Sequence, residues 1–338
     1  MHCLVTTDTD QRLVPSLEGA VIHQLAPGET PGSIQRFFDH WTPDLGIEMG
    51  VTDRSRLFNA AAERELPLFH VSASRDVAGR KYPDYLANFR ATLAVSASES
   101  QAVAKQFHHS DMIVEITGPL CDTINALACN EAECDTLAQL LGGRPVWLAA
   151  QVVAGEVEMM ESAHRRAFRA AHRLLLILVP ADLEAAEEIR KFFEGQGWRT
   201  ALRSEGGEPD PDVQVYIADT EDELGMWYRL APTSFVGGTL IGGDAAADPF
   251  DPAALGSAVL HGPVLGPAPA RFERLRGAGA SIAIKTADAL GETVLKLLSP
   301  DKAAILAQAG WAVTTESAHV VERLAELIDL ALDDREDL

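Results

Sequence analysis

Basic side chains are scarce in this chain. Its 338 residues hold 28 Lys and Arg against 50 Asp and Glu, a formal net charge of -22. The deficit is not confined to a tail: residues 1–150 carry 11 basic and 19 acidic side chains (-8), and residues 151–338 carry 17 and 31 (-14). Duplex binding rests on Lys and Arg neutralising phosphates, so nucleic acid is excluded as a partner. An anionic membrane surface is disfavoured for the same reason. No apolar run reaches the about 18 residues of a membrane-spanning helix. Residues 2–6 (HCLVT) are too short for a signal peptide and no basic run precedes them, so the expected location is cytoplasmic.

Cysteine is sparse too, with only Cys3, Cys121, Cys129 and Cys134. The last three, with His108 or His109, are the one metal-ligand set to weigh. Zinc sites usually pair cysteines about two to four residues apart at each end, and Cys121 has no close partner. Reduced thiols and no metal are therefore expected, with Cys129 and Cys134 within one helix. There is also no G-x-G-x-x-G, no P-loop and no nucleophilic triad.

What the chain does have is alternation. Short apolar runs alternate with segments of helical period, the pattern of parallel α/β sheets. His2–Thr6, Leu45–Met49, Leu68–Ser72, Thr92–Val95 and Met112–Ile116 read as strands in the first half. Ile34, Phe37, Phe38 and Trp41 fall on one helical face. Ser98 with Gln101 suggests a capping box for a helix ending near Phe107. A second series begins at Val146–Ala150. A helix follows over 156–172, then Leu174–Val179 (LLLILV), a run suited to a strand buried on both faces. Asp182 is an N-cap candidate, and Gly195 and Gly197 end its helix. Val213–Ile217, Ser234–Val236, Ala258–Leu260 and Ser281–Ile284 are later strands, Thr220 with Glu223 a second capping box, and helices near 286–298, 301–309 and 315–332 close the chain. The expected fold is α/β of GT-B type: two Rossmann-like domains, 1–143 and 144–338, with a ligand cleft between them.

Chemistry is best placed in Phe235–Gly256 (FVGGTLIGGDAAADPFDPAALG). Gly237 and Gly238 let the backbone turn closely after a strand, Thr239 offers a hydroxyl, and Asp251–Pro252 fits the start of a helix. Free amides at such a start suit a phosphate or carboxylate. A plain strand–loop–helix turn is the competing reading. Glu156 is either an acid at the site or a residue favoured by a helix dipole. Glu223 is either a cap partner or a ligand contact, and His261 lies at a strand's carboxyl end.

At this segment the sequence resembles the Kdo (3-deoxy-D-manno-octulosonic acid) transferases. That family carries a pattern close to FVGGSLVPxGGHNPLEPAALGKPVLFGP, matched here at Phe235–Leu240, Pro249, Pro252–Gly256, Val259–Leu260 and Gly262–Pro263. Asp219-Thr220-x-x-Glu223-Leu224-x-x-Trp227-Tyr228 looks like its D-T-x-G-E-L-x-x-x-Y, Arg203-Ser204 like its R-S, Gly155-Glu156 like its G-E, and Arg36–Pro43 like its R-F-L-x-x-W-x-P. The resemblance implies a glycosyltransferase moving Kdo, or a related ulosonic acid, from a CMP-activated donor to a lipid A-type acceptor in lipopolysaccharide biosynthesis. The CMP-sugar is a substrate, so no separate cofactor is implied. Peripheral contact with the cytoplasmic face of the inner membrane is also implied. Its donor side maps onto Gly237, Gly238, Thr239, Asp248, Asp251, Glu156, Ser204 and Glu223.

Several family positions are altered. S-T-H reads Gln151-Val152-Val153, P-R-H reads Pro180-Ala181-Asp182, G-G-H reads Ala245-Ala246-Ala247, the following asparagine is Asp248, and a lysine is Cys121. Basic groups vanish and Asp248 adds a charge, which should weaken an anionic donor. A catalytically inactive paralogue that binds nucleotide-sugars or acts as a scaffold is the alternative. Residues 4–7 align with the family's second strand, which leaves the first strand and the Gly-Glu general base without a counterpart and no catalytic residue to assign. Either the coding sequence begins upstream of Met1, or the protein has lost the base and closed its sheet otherwise. The sheet should then be interrupted beside residues 4–7.

Overall fold

The computed structural model describes residues 3–7, 21–72, 81–120, 126–242 and 247–336. The chain divides into two compact units, Met1–Asp122 with Glu316–Leu338, and Thr123–Thr315.

In the first unit, β1 (Cys3–Thr7) pairs in parallel with β2 (Val21–Leu25). Helix α1 (Pro31–Trp41) follows, capped by Thr30, with Ile34 and Phe38 buried. A four-stranded parallel sheet is built from β3 (Gly46–Met49), β4 (Leu68–Val71), β5 (Ala91–Ala94) and β6 (Ile113–Ile116), in that order. Helices α2 (Ser55–Ala62) and α3 (Ala97–Gln106) lie between these strands in sequence. The N-cap of α3 is Ser96, whose hydroxyl accepts the Glu99 N–H, so the expected Ser98 box sits two residues inside the helix. Among the described residues no strand joins the two sheets, and β1 and β3 are both edges. Val21–Leu25 was not expected as a strand, because its His23 and Gln24 break the apolar run.

The second unit opens with α4 (Glu131–Leu141). Seven parallel strands follow: β7 (Val146–Val152), β8 (Leu175–Pro180), β9 (Thr200–Leu202), β10 (Val215–Ile217), β11 (Thr233–Val236), β12 (Ala258–His261) and β13 (Ser281–Ala283). Their order is β13-β12-β11-β7-β8-β10-β9, the doubly wound pattern of a Rossmann-like sheet. Intervening helices are α5 (Val157–Phe168), α6 (Ala186–Gly195), α7 (Leu224–Leu230), α8 (Phe250–Ala254), α9 (Pro269–Gly277), α10 (Ala287–Leu297) and α11 (Pro300–Thr315). Both faces of the sheet are covered: Trp147, Leu176 and Leu178 belong to one core cluster, Leu148, Leu175 and Ile177 to another. That double burial is why β7 and β8 read as unbroken apolar runs.

The chain then returns to the first unit. Helix α12 (Ala318–Glu336) lays Val320, Leu327 and Ala331 on Phe69, Val71, Ala91 and Leu93 of the four-stranded sheet. Arg323 donates to both Glu115 oxygens on β6, at 2.6 and 2.7 Å. The units therefore depart from the expected 1–143 and 144–338 at both ends: α4 belongs with the second sheet and α12 with the first. The fold is α/β, with parallel sheets in both units.

Candidate functional site: the switch point of the second sheet

In the second sheet the strand order reverses between β7 and β11, so the loops leaving their carboxyl ends diverge. Such a point is where open parallel sheets accept ligands. Here the two loops are bound to one another. The Glu156 side chain is wholly buried, and its oxygens accept the N–H groups of Gly238 and Leu240, both at 2.7 Å. Gly237 lies against the end of β7, where an added Cβ would sit 2.6 Å from Ala150 O and closer still to Gln151 O. Gln151 itself has φ +52, a left-handed conformation unusual for a residue with a side chain, where the β7–β8 register shifts. Thr239 is buried. Its hydroxyl donates to Val236 O at 2.5 Å and accepts the Gly262 N–H at 2.7 Å. Glu156 and Thr239 thus spend their polar atoms on the loop's own shape. His261, at the end of β12, is held through Nδ1 to Gly262 O at 2.7 Å, and burial pushes its pKa down.

Beyond this loop the sequence places Asp248 and Asp251. The expected Asp251 N-cap is displaced: Asp248 Oδ1 accepts the Phe250 N–H at 3.0 Å, and Asp251 lies inside the short α8. The other Asp248 oxygen pairs with Arg271, so the negative charge here is compensated rather than added to the loop. Ala247 is buried, while Ala245 and Ala246, with Cys121, lie outside the described residues.

Asp251 is different. Burial raises its pKa from 3.8 to about 6. Near it Tyr228 is 1% exposed, its hydroxyl has no hydrogen-bond partner among the described residues, and its pKa is raised by burial and then by the Asp251 charge. The folded state holds the Asp251 proton that the unfolded chain releases near pH 3.8, so stability falls as pH rises from about 4 to 6 and is level above that. Asp251→Asn should therefore be more stable than wild type at pH 7, by at most about 3 kcal/mol before screening at this partly exposed group. The difference should vanish by about pH 4. Urea unfolding at four pH values checks it, and a constant difference would reject burial as the cause.

Ser204 and Glu223 are not brought to the switch point. They lie past β9 and β10, toward the far edge of the sheet. The Ser204 hydroxyl donates to Asp219 at 2.6 Å, and its N–H to the other Asp219 oxygen at 2.9 Å. Glu223 pairs with Arg203 at 2.8 Å and accepts the Thr220 hydroxyl, so the expected Thr220 capping box is a side-chain network instead. Arg203 also reaches Glu133 at 2.8 Å. Asp182 accepts the Glu184 N–H, as an N-cap should, at a 3-10 turn leading into α6. Sequence reasoning missed Arg271, which has no motif around it.

A family model described as 3-deoxy-D-manno-octulosonic-acid transferase (kdotransferase) matches residues 1–123. The 3-deoxy-D-manno-octulosonic acid transferase of Haemophilus influenzae is 27% identical over 338 residues, covering 96% of this chain and 78% of that protein. That of Bordetella pertussis is 29% identical over 250 residues, 70% of this chain and 57% of its own. The chain is thus similar to the Kdo transferases over most of its length. Among solved structures, the C-terminal CMP-Kdo binding domain of WaaA from Acinetobacter baumannii superposes with a TM-score of 0.50 at 25% identity, over 54% of this chain and 98% of that domain. The chain's match spans just over half the length of the Bordetella protein. Among the described residues no helix is long and apolar enough to cross a membrane, and no group of three or more His, Cys, Asp or Glu could hold a metal ion.

Proposed function

We propose that the chain is a glycosyltransferase that moves Kdo, or a related ulosonic acid, from a CMP-linked donor to a lipid A-type acceptor in lipopolysaccharide biosynthesis. It would act at the cytoplasmic face of the inner membrane. The observation that carries this reading is the β7–β11 loop pair, held by Glu156 in a unit similar to a CMP-Kdo binding domain. Gly237 and Gly238 keep the backbone bare enough for close approach of the donor, and Thr239 and Glu156 fix its curvature. Asp251 accepts a donor hydroxyl, which requires its ionised form. Asp248 sets the orientation of α8 through Arg271. Ser204 and Glu223 support the rim at the other edge. Direct displacement inverts the anomeric centre and needs a base for the acceptor hydroxyl and stabilisation of the leaving phosphate.

A second reading, a catalytically silent relative that binds nucleotide-sugars or a partner, is favoured by the engagement of Arg271 with Asp248, which withdraws a cation from the loop. Thermal shift with CMP, CMP-Kdo, UDP and UDP-sugars separates the two. Stabilisation by CMP and CMP-Kdo is expected, with turnover of CMP-Kdo in the presence of lipid A precursor. A response to UDP species alone would reject the donor, and binding without turnover would select the silent reading. Asp248→Asn, which removes a negative charge beside the loop and its ion pair with Arg271, should tighten CMP-Kdo binding by about 1.5 kcal/mol or more, roughly one charged hydrogen bond. Titration calorimetry measures it.

A further inference from the structure

Cys129 immediately precedes Asn130, the N-cap of α4, and Cys134 is the fourth residue of that helix. These are the positions whose side chains meet in the hydrophobic staple, the contact that sets the angle at which a chain enters a helix. The cap is formed: Asn130 accepts the Glu133 N–H at 3.3 Å, and the Cys134 N–H closes the first turn onto Asn130 O at 2.9 Å. Both cysteines pack on the same core cluster, both are free, and both remain partly exposed. A staple normally holds two apolar side chains that do nothing but pack. Here it holds the two groups able to join covalently, beside a segment fixed on α7 by Gly225, against which the Ala128 and Leu127 backbones rest.

We propose that Cys129 and Cys134 are a thiol–disulfide site that locks the first turn of α4 when oxidised by a hydroperoxide. The Cys129 thiolate attacks the peroxide O–O bond, giving a sulfenic acid and releasing water or an alcohol. The Cys134 sulfur then displaces the sulfenic oxygen as water while the S–S bond forms. Two thiols lose two electrons and two protons, and the peroxide gains both. Burial and the neighbouring Cys129 hold the Cys134 thiol up, so Cys129 attacks first. The closed ring is small, which suits a reversible bond. Neither step depends on the transferase reading.

The full-length chain, treated with hydrogen peroxide and then alkylated, tests this. Digestion after glutamate separates Cys129 from Cys134, because Glu131 and Glu133 lie between them. The expected product is one linked pair of peptides, two hydrogens lighter than the separate thiols and released by dithiothreitol, in wild type and in Cys121→Ser alike. Hydrogen exchange of the first turn of α4 should slow by roughly tenfold or more on oxidation. In Cys129→Ser, which keeps a small side chain at a partly exposed site, Cys134 should stay alkylatable after peroxide. Linkage of Cys129 to Cys3 or Cys121, or full alkylation of Cys129 and Cys134 while Cys3 is oxidised, would overturn the proposal. So would unchanged exchange in the linked form.

Discussion

Replacing Glu156 with alanine should remove about 3–6 kcal/mol of stability, two charge-assisted hydrogen bonds at roughly 1.5–3 each. The Gly238 and Leu240 amides would be left in a buried site with no other acceptor offered to them. Glu156→Gln separates charge from shape. Its carbonyl oxygen can serve one amide, but its NH2 then faces the second N–H, so about half the loss should persist. Urea unfolding followed by tryptophan fluorescence reads both. Because the two amides belong to the loop after β11, donor binding should fall together with stability in both variants. A glutamine variant as stable as wild type would show that the loop is held by packing and not by this carboxylate.

Gly237→Ala should be comparably damaging, for a steric reason. The new methyl would meet Ala150 O at 2.6 Å, with Gln151 O nearer, well inside the about 3 Å that real Cβ contacts respect. Both atoms belong to the backbone of the central strand β7, so neither can swing aside as a flexible side chain would. A cost of about 3 kcal/mol or more is expected, at the upper end for overpacking. Gly195→Ala is the control. It closes α6, with nothing within 4 Å of the added methyl. That change should be neutral or stabilising by up to about 1 kcal/mol. Equal effects from the two substitutions would remove the close-approach argument for the loop.

Much of this framework is legible in the residues themselves. LLLILV gives β8 within one residue, and Ile34 with Phe38 gives the buried face of α1, because sheets covered on both sides and amphipathic helices leave direct periodic traces. β9 is three residues, too short for any period, and β2 carries polar residues, so both were invisible. The Asp182 cap stands where the sequence places it, but other caps were legible in kind and not in position. Ser96 and not Ser98 caps α3, and the N-cap position of α8 is Pro249 and not Asp251, with Asp248 accepting the Phe250 N–H, since backbone geometry chooses among neighbouring candidates. Glu156 was singled out for its place after a strand, yet its bonds to Gly238 and Leu240 join residues more than eighty apart in sequence, and nothing local encodes them.

The sequence by itself determined the alternation of strand and helix, the parallel sheets and the Gly-Gly turn after β11, because each is written in neighbouring residues through periodicity, β-branching and backbone freedom. The tertiary structure alone decided that α12 closes the first unit, that Arg271 neutralises Asp248, and that Glu156 holds the switch-point loop instead of facing it. Those outcomes depend on which distant groups become neighbours once the strands are ordered, and on burial, which turns a carboxylate from a solvated charge into an acceptor that must find its donors.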